Sequence, residues 1–117
     1  MGSYVANNLK ENVEIYKDWD YNIKVVGIAY HQPELAQLYP KDWENIDIQL
    51  EPEPTNKFDP NAIKVMADGL QIGYIPALVA EVMVEQLEEY NFECKLIYIT
   101  MGLAGKKRTA KIAINRR

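Results

Sequence analysis

Asp68-Gly69 constrains the fold of this chain more than any other dipeptide in it. A two-residue turn joining antiparallel strands needs positive φ at both positions, which Asp and Gly supply at low cost. The flanking runs, residues 62–66 and 70–75, are apolar and β-branched, so a β-hairpin is predicted there. The same reading finds four more strands. Residues 23–30 (Ile-Lys-Val-Val-Gly-Ile-Ala-Tyr) are apolar on both faces, as in a barrel or a helix-covered strand. Gly27 within them marks a bulge, a bend or a close backbone approach. Residues 46–51 alternate as a half-buried strand does. Residues 92–100 and 109–114 are the last two, joined by a flexible loop at 102–107 with a basic tip.

Two helices are expected between these strands. Residues 33–39 form a short one, with Pro33 in its first turn and Pro40 stopping it. Residues 76–90 form the main one, with Leu78, Val79, Val82, Met83, Leu87 and Tyr90 on one face. Glu81, Glu85, Glu88 and Glu89 occupy the other face, and Asn91 suits the left-handed position after the last turn. Val13-Glu14-Ile15-Tyr16 reads equally as an edge strand or a helical turn. The prediction is a mostly β domain: a small antiparallel barrel of about six strands with one main and one short helix. Trp19 and Trp43 are expected to plug its ends. Residues 1–21 are expected to be an N-terminal extension and residues 22–117 the domain.

Composition removes several classes of function. The 117 residues make one domain, 48% hydrophobic and 26% charged, unlike disordered, collagenous or disulfide-scaffold chains. No apolar run approaches the ~18 residues of a membrane span. The first eight residues carry neither a basic start nor an apolar stretch, so no signal peptide is expected. Cys94 and His31, one of each, cannot supply the ligands of structural zinc. No metal and no cofactor are expected. A single cysteine suits a reducing, cytoplasmic compartment. The net charge of −4 argues against a generic nucleic-acid binder. Its distribution is uneven: residues 1–60 carry 5 basic and 11 acidic groups, and residues 61–100 carry 2 and 6. Residues 101–117 carry six basic groups and no acidic one.

No catalytic set emerges, and the chain is not expected to be an enzyme. Ser3 lies in the N-terminal tail, Cys94 is far from His31 in sequence, and no phosphate-binding glycine loop is present. Glu93-Cys94-Lys95 has the E-x-K spacing of one metal-dependent nuclease fold, with Asp59 and Asp68 upstream. Residues i and i+2 share a strand face, so the pair equally describes the solvated side of an amphipathic strand. The order of helices and strands is wrong for that nuclease.

The most informative stretch is residues 52–61. Pro52, Pro54 and Pro60 fix φ, and Asn56, Asp59 and Asn61 can bond to their own backbone, so the loop is stiff without regular structure. It reads Glu53-Pro54-Thr55-Asn56-Lys57-Phe58-Asp59-Pro60-Asn61 and leads into Ala62-Ile63-Lys64-Val65. After Asp68-Gly69 comes Gln71-Ile72-Gly73-Tyr74-Ile75-Pro76. This order resembles the HIRAN domain family, whose signature is E-P-x-N-x-(Y/F)-D-x-N-A-I-x-V followed by G-x-x-(I/V)-G-(Y/H)-(I/L)-P. Residues 25–30 resemble that family's first core strand, and the resemblance spans roughly residues 23–114.

The resemblance implies an OB-like barrel and a non-catalytic, nucleic-acid-binding role, in a stand-alone domain of the bacterial type. It implies single-stranded DNA as partner, gripped at a free 3′-hydroxyl, with a helicase or nuclease as a possible protein partner in repair, replication-fork processing or mobile-element maintenance. The residues are chemically suited to it. Tyr30 and Phe58 offer faces on which bases stack. Asp59, an acceptor only, can take a bond from a 3′-hydroxyl and would repel a 3′-phosphate. Asn56 can meet a base edge, Tyr74 a phosphate, and Lys57 and Lys64 are the nearby cations. Three departures predict weaker, less salt-dependent binding: Ala29 stands where the DNA-gripping member has a basic residue, Ala77 and Leu78 where it has lysines, and Phe58 where it has a tyrosine. Each residue also has a structural role open to it. Asp59, Asn61 and Asn56 can simply close turns, Phe58 can anchor the loop in the core, Tyr30 can pack under the helix, Tyr74 can sit at the core rim, and His31 reads as a surface residue. The basic C-terminal residues are either a solvated end or a phosphate track. The competing function is a protein-interaction scaffold that keeps the barrel without binding DNA ends.

Overall fold

The computed structural model describes residues 9–117. The expectations for Ser3 and for the first eight residues lie outside them. The elements run α1 (Leu9–Tyr16), β1 (Tyr21–Lys24), α2 (Gln32–Leu38), β2 (Ile48–Pro52), β3 (Ile63–Ala67), β4 (Leu70–Tyr74), α3 (Ala77–Glu89), β5 (Phe92–Ile99) and β6 (Ala110–Arg116). Single 3-10 turns lie at Ile28–Tyr30 and Trp43–Asn45. No helix among the described residues is long and apolar enough to cross a membrane.

The β3–β4 hairpin turns at Asp68 (φ 49°) and Gly69 (φ 80°), both positive as the dipeptide requires. Ile63, Val65 and Ala67 of β3 are fully buried, in the alternation of a half-buried strand. The strands form two three-stranded antiparallel sheets, ordered β1-β6-β5 and β2-β3-β4. The two are stitched by the residues just after β1. The Val25 N–H donates to the Ala110 carbonyl at 3.0 Å, and Val26 exchanges two backbone bonds with Tyr74, each 2.9 Å. Leu35 and Leu38 of α2, Trp43, Ile72, Met83 of α3 and Ile112 fill the space between.

The expected six strands are present, but among the described residues the barrel does not close. β2 and β5 face one another without pairing, across a groove of about 600 Å³ between residues 44–50 and 90–95. Leu87 and Tyr90 at the end of α3 line this groove, and Lys95 spans it to the Glu44 carbonyl at 3.3 Å.

Three local expectations are corrected. The strand at 23–30 stops at Lys24, because Gly27 takes a left-handed φ of 73° and turns the chain into the 3-10 turn. The predicted apolar face of α3 is wider than the surface available to it: Ala80 and Met83 are buried, while Leu78 and Val82 are exposed. Tyr90 runs extended (φ −124°, ψ 151°) straight into β5, so Asn91 takes no left-handed turn. A third helix also appears. Residues 13–16 belong to α1, whose Tyr16 is buried against Ile97 and Ala113 with Trp19 edge-on at 4.9 Å. Trp43 lies in the main core and donates from Nε1 to the Tyr39 carbonyl at 3.0 Å.

Candidate nucleic-acid interface

The loop after β2 is closed by its own backbone and by two side chains. The Glu53 N–H donates to the Ala62 carbonyl (2.8 Å), Asn56 N–H to the Glu53 carbonyl (3.0 Å) and Ala62 N–H to the Asp59 carbonyl (3.0 Å). Asn56 Oδ1 accepts from the amides of Phe58 (2.9 Å) and Asp59 (3.0 Å). Asp59 Oδ1 accepts from Asn61 N–H at 2.9 Å. The turn-closing roles of Asn56 and Asp59 are therefore realised. An ionised carboxylate has about four acceptor sites, so one such bond leaves Asp59 with acceptor capacity.

These bonds hold the Phe58 amide inward and turn its ring out. Phe58 is 97% exposed and does not anchor the loop in the core. Tyr30, at the end of its 3-10 turn, is 86% exposed and does not pack under a helix. The two rings do not stack on one another among the described ring pairs.

What joins them is a residue that the sequence reading left without a role. The Glu53 carboxylate accepts from Asn56 Nδ2 at 2.6 Å and Tyr74 Oη at 2.9 Å, and pairs with Lys64 Nζ at 3.1 Å. The Asn56 amide, then the Tyr74 hydroxyl and Lys64, hold its carboxyl below the usual carboxylate range. Glu53 in return holds Lys64 above the usual lysine range. The signal for this hub was its place in the motif, three residues before Asn56. Tyr74 is half-buried at the rim and pairs with Val26, next to Gly27, whose turn carries Tyr30. Glu53 thus connects the loop, the end of β4 and the Tyr30 turn into one surface. It also engages the Tyr74 hydroxyl, expected to meet a phosphate, and the charge of Lys64, expected as a nearby cation. Lys57 is exposed at the loop.

The chain belongs to the HIRAN domain family. Its family model matches residues 20–113, most of the sequence. The fold is similar to the crystal structure of the HIRAN domain of human HLTF, with a TM-score of 0.54 at 21% identity, over 80% of this chain and 72% of that one. It is also similar to a crystal structure of a Lactobacillus plantarum protein, with a TM-score of 0.57 at 18% identity, over 80% and 91% of the two chains. At these identities the likeness is one of fold. No match to a curated protein was found.

Other candidates in this HIRAN domain are dispersed. Glu93 pairs with Arg117 at 2.9 Å, Lys95 donates to Glu44, and Asp68 pairs with Lys41 at 3.3 Å. Among the described residues no group of three or more His, Cys, Asp or Glu side chains is placed to hold a metal ion. Burial, then Glu93 and Asp47, push the Cys94 thiol up to about 12. His31 is half-buried, with Nδ1 3.9 Å from Glu34.

Proposed function

We propose that this domain is a non-catalytic module that binds the 3′ end of single-stranded DNA. The observation that carries the reading is that the Tyr30 and Phe58 rings both stand in solvent, on a turn and a loop linked through Tyr74 and Glu53, with the Asp59 carboxylate in that loop. A large ring left 86–97% exposed gains nothing from the core, whereas stacking on a base is worth ~1–3 kcal/mol. In this reading Asp59 accepts the terminal hydroxyl, Asn56 shapes the loop beneath it, Lys57 meets the backbone, and Tyr74 and Lys64 act through Glu53. The role extends to repair, replication-fork processing or mobile-element maintenance in the cytoplasm, beside a helicase or nuclease, with residues 1–21 as an extension to the binding domain.

Fluorescence anisotropy with a short strand ending in a 3′-hydroxyl or a 3′-phosphate tests it. The expected outcome is preference for the hydroxyl, lost in Asp59→Ala. Equal, weak binding of both strands at low salt would overturn end recognition. The scaffold reading is favoured by one observation: Leu78, at a position where a lysine would serve DNA, is exposed on α3 (82%) with Val82 exposed one turn on (57%).

A further inference from the structure

The loop joining β5 and β6 holds a second set of groups suited to a nucleic acid. It leaves the sheet through a neck of paired threonines: Thr100 N–H donates to the Thr109 carbonyl (2.9 Å), and Thr109 N–H to Thr100 Oγ1 (2.7 Å). The tip is turned by Gly102, Ala104 and Gly105, all at positive φ, and by a Lys106 N–H bond to the Leu103 carbonyl at 3.1 Å. Lys106 and Lys107 are exposed on it and make no ion pair among the described residues. Met101 (50%) and Leu103 (66%) are exposed beside them.

This loop is bolted to the Tyr30 turn by one side chain. Gln32 Nε2 donates to the carbonyls of Ile28 (2.9 Å) and Arg108 (3.0 Å), and its Oε1 accepts from Arg108 N–H (2.8 Å). Arg108 is itself engaged, lying 4.6 Å from the centre of the Tyr39 ring and donating to the Thr100 carbonyl at 3.2 Å. Gln32 therefore ties the base of this loop, at Arg108, to the turn that carries Tyr30. Around the Tyr30 turn and the loop after β2, Lys57 is the one described cation left for a phosphate backbone, since Lys64 is paired and positions 29, 77 and 78 are apolar. The only part of the sequence with basic groups and no acidic ones, residues 101–117, supplies others here.

We propose that the β5–β6 loop is a second contact for the same single strand: Lys106 and Lys107 meet phosphates 5′ of the terminal nucleotide, with Met101 and Leu103 against the adjoining bases. This rests on the end-binding reading for the strand's direction but not for the contact itself. The test compares the wild-type protein with Lys106→Ala/Lys107→Ala, using strands of about four and about sixteen nucleotides, the span of site sizes for OB folds. Affinity is measured across salt concentrations, with 3′-hydroxyl and 3′-phosphate ends. Each single-strand phosphate contact contributes about 0.7 to the slope of log affinity against log salt. The double variant is expected to flatten the slope for the long strand by about 1.4, and the short strand's slope by as much only if its few phosphates already reach the loop. An unchanged slope for the long strand would overturn the proposal even if the 3′-hydroxyl preference holds. A flattened slope without any end preference would sustain the loop contact and overturn end recognition. Absence of binding to every strand would overturn both.

Discussion

At the scale of single residues, the position with the least freedom is Gly73. A β-carbon there would overlap the Val26 carbonyl oxygen and stand 2.6 Å from Val25 Cγ1, at a φ of 153° that side chains rarely adopt. The backbone of the strap that joins the two sheets crosses β4 at this point, and only hydrogen fits between. Gly73→Ala is expected to cost about 3 kcal/mol or more, by overpacking and backbone strain together. A lowered midpoint in urea with an unchanged slope would record it. The motif around Gly73 was legible in the sequence, but its reason was not, because the colliding atom lies nearly fifty positions upstream. Tyr30 and Phe58 show the converse. Their type and position pointed to a surface role or to the core alike, since a large aromatic ring is at home in either. Only the folded loop, with Asn56 pulling the Phe58 amide inward, decides for solvent.

At the scale of elements, the loop after β2 stands on one carboxylate. Glu53 is charged when it accepts from Asn56 and Tyr74, and its carboxyl is held low, so it contributes above the ordinary glutamate range near pH 4. That contribution fades as pH falls through the lowered value. Amide exchange at Phe58 and Asp59 is therefore expected to accelerate in acid before the sheets open. Glu53→Gln should show the faster exchange already at neutral pH, while an unchanged rate would place the loop's stiffness in its prolines and its Asn56, Asp59 and backbone turn bonds. Most elements were legible because turn chemistry and periodicity agreed: Asp68-Gly69 for the hairpin of β3 and β4, alternation for β2, Pro33 and Pro40 around α2. Two were not. The 23–30 run kept its β-branched composition past Gly27, where a single left-handed residue diverts the chain. On α3, periodicity marks every apolar position but not how wide a surface the sheet offers, so Leu78 and Val82 were assigned to a contact that the sheet does not reach.

At the scale of the whole molecule, antiparallel register explains why the groove between β2 and β5 matters. Asp47 and Glu53 direct their backbone groups toward the β3 side, so Ile48 and Leu50 direct theirs into the groove. On β5, Asn91 bonds to Arg117, which leaves Phe92 and Cys94 facing the groove from the opposite wall. Lys95 bridges the two walls and puts a charge on an edge that would otherwise invite another strand. Lys95→Ile is expected to raise light scattering with protein concentration, and a flat profile would assign the protection to Glu44 and Arg117 instead. In the language of polymer chemistry, a unit with two open edges is bifunctional and able to grow into a linear chain without limit. Here both edges belong to one cleft and screen each other, so the molecule carries its own chain stopper. A distortion that spread the cleft would expose both growing ends at once, and self-association would then begin steeply rather than by degrees.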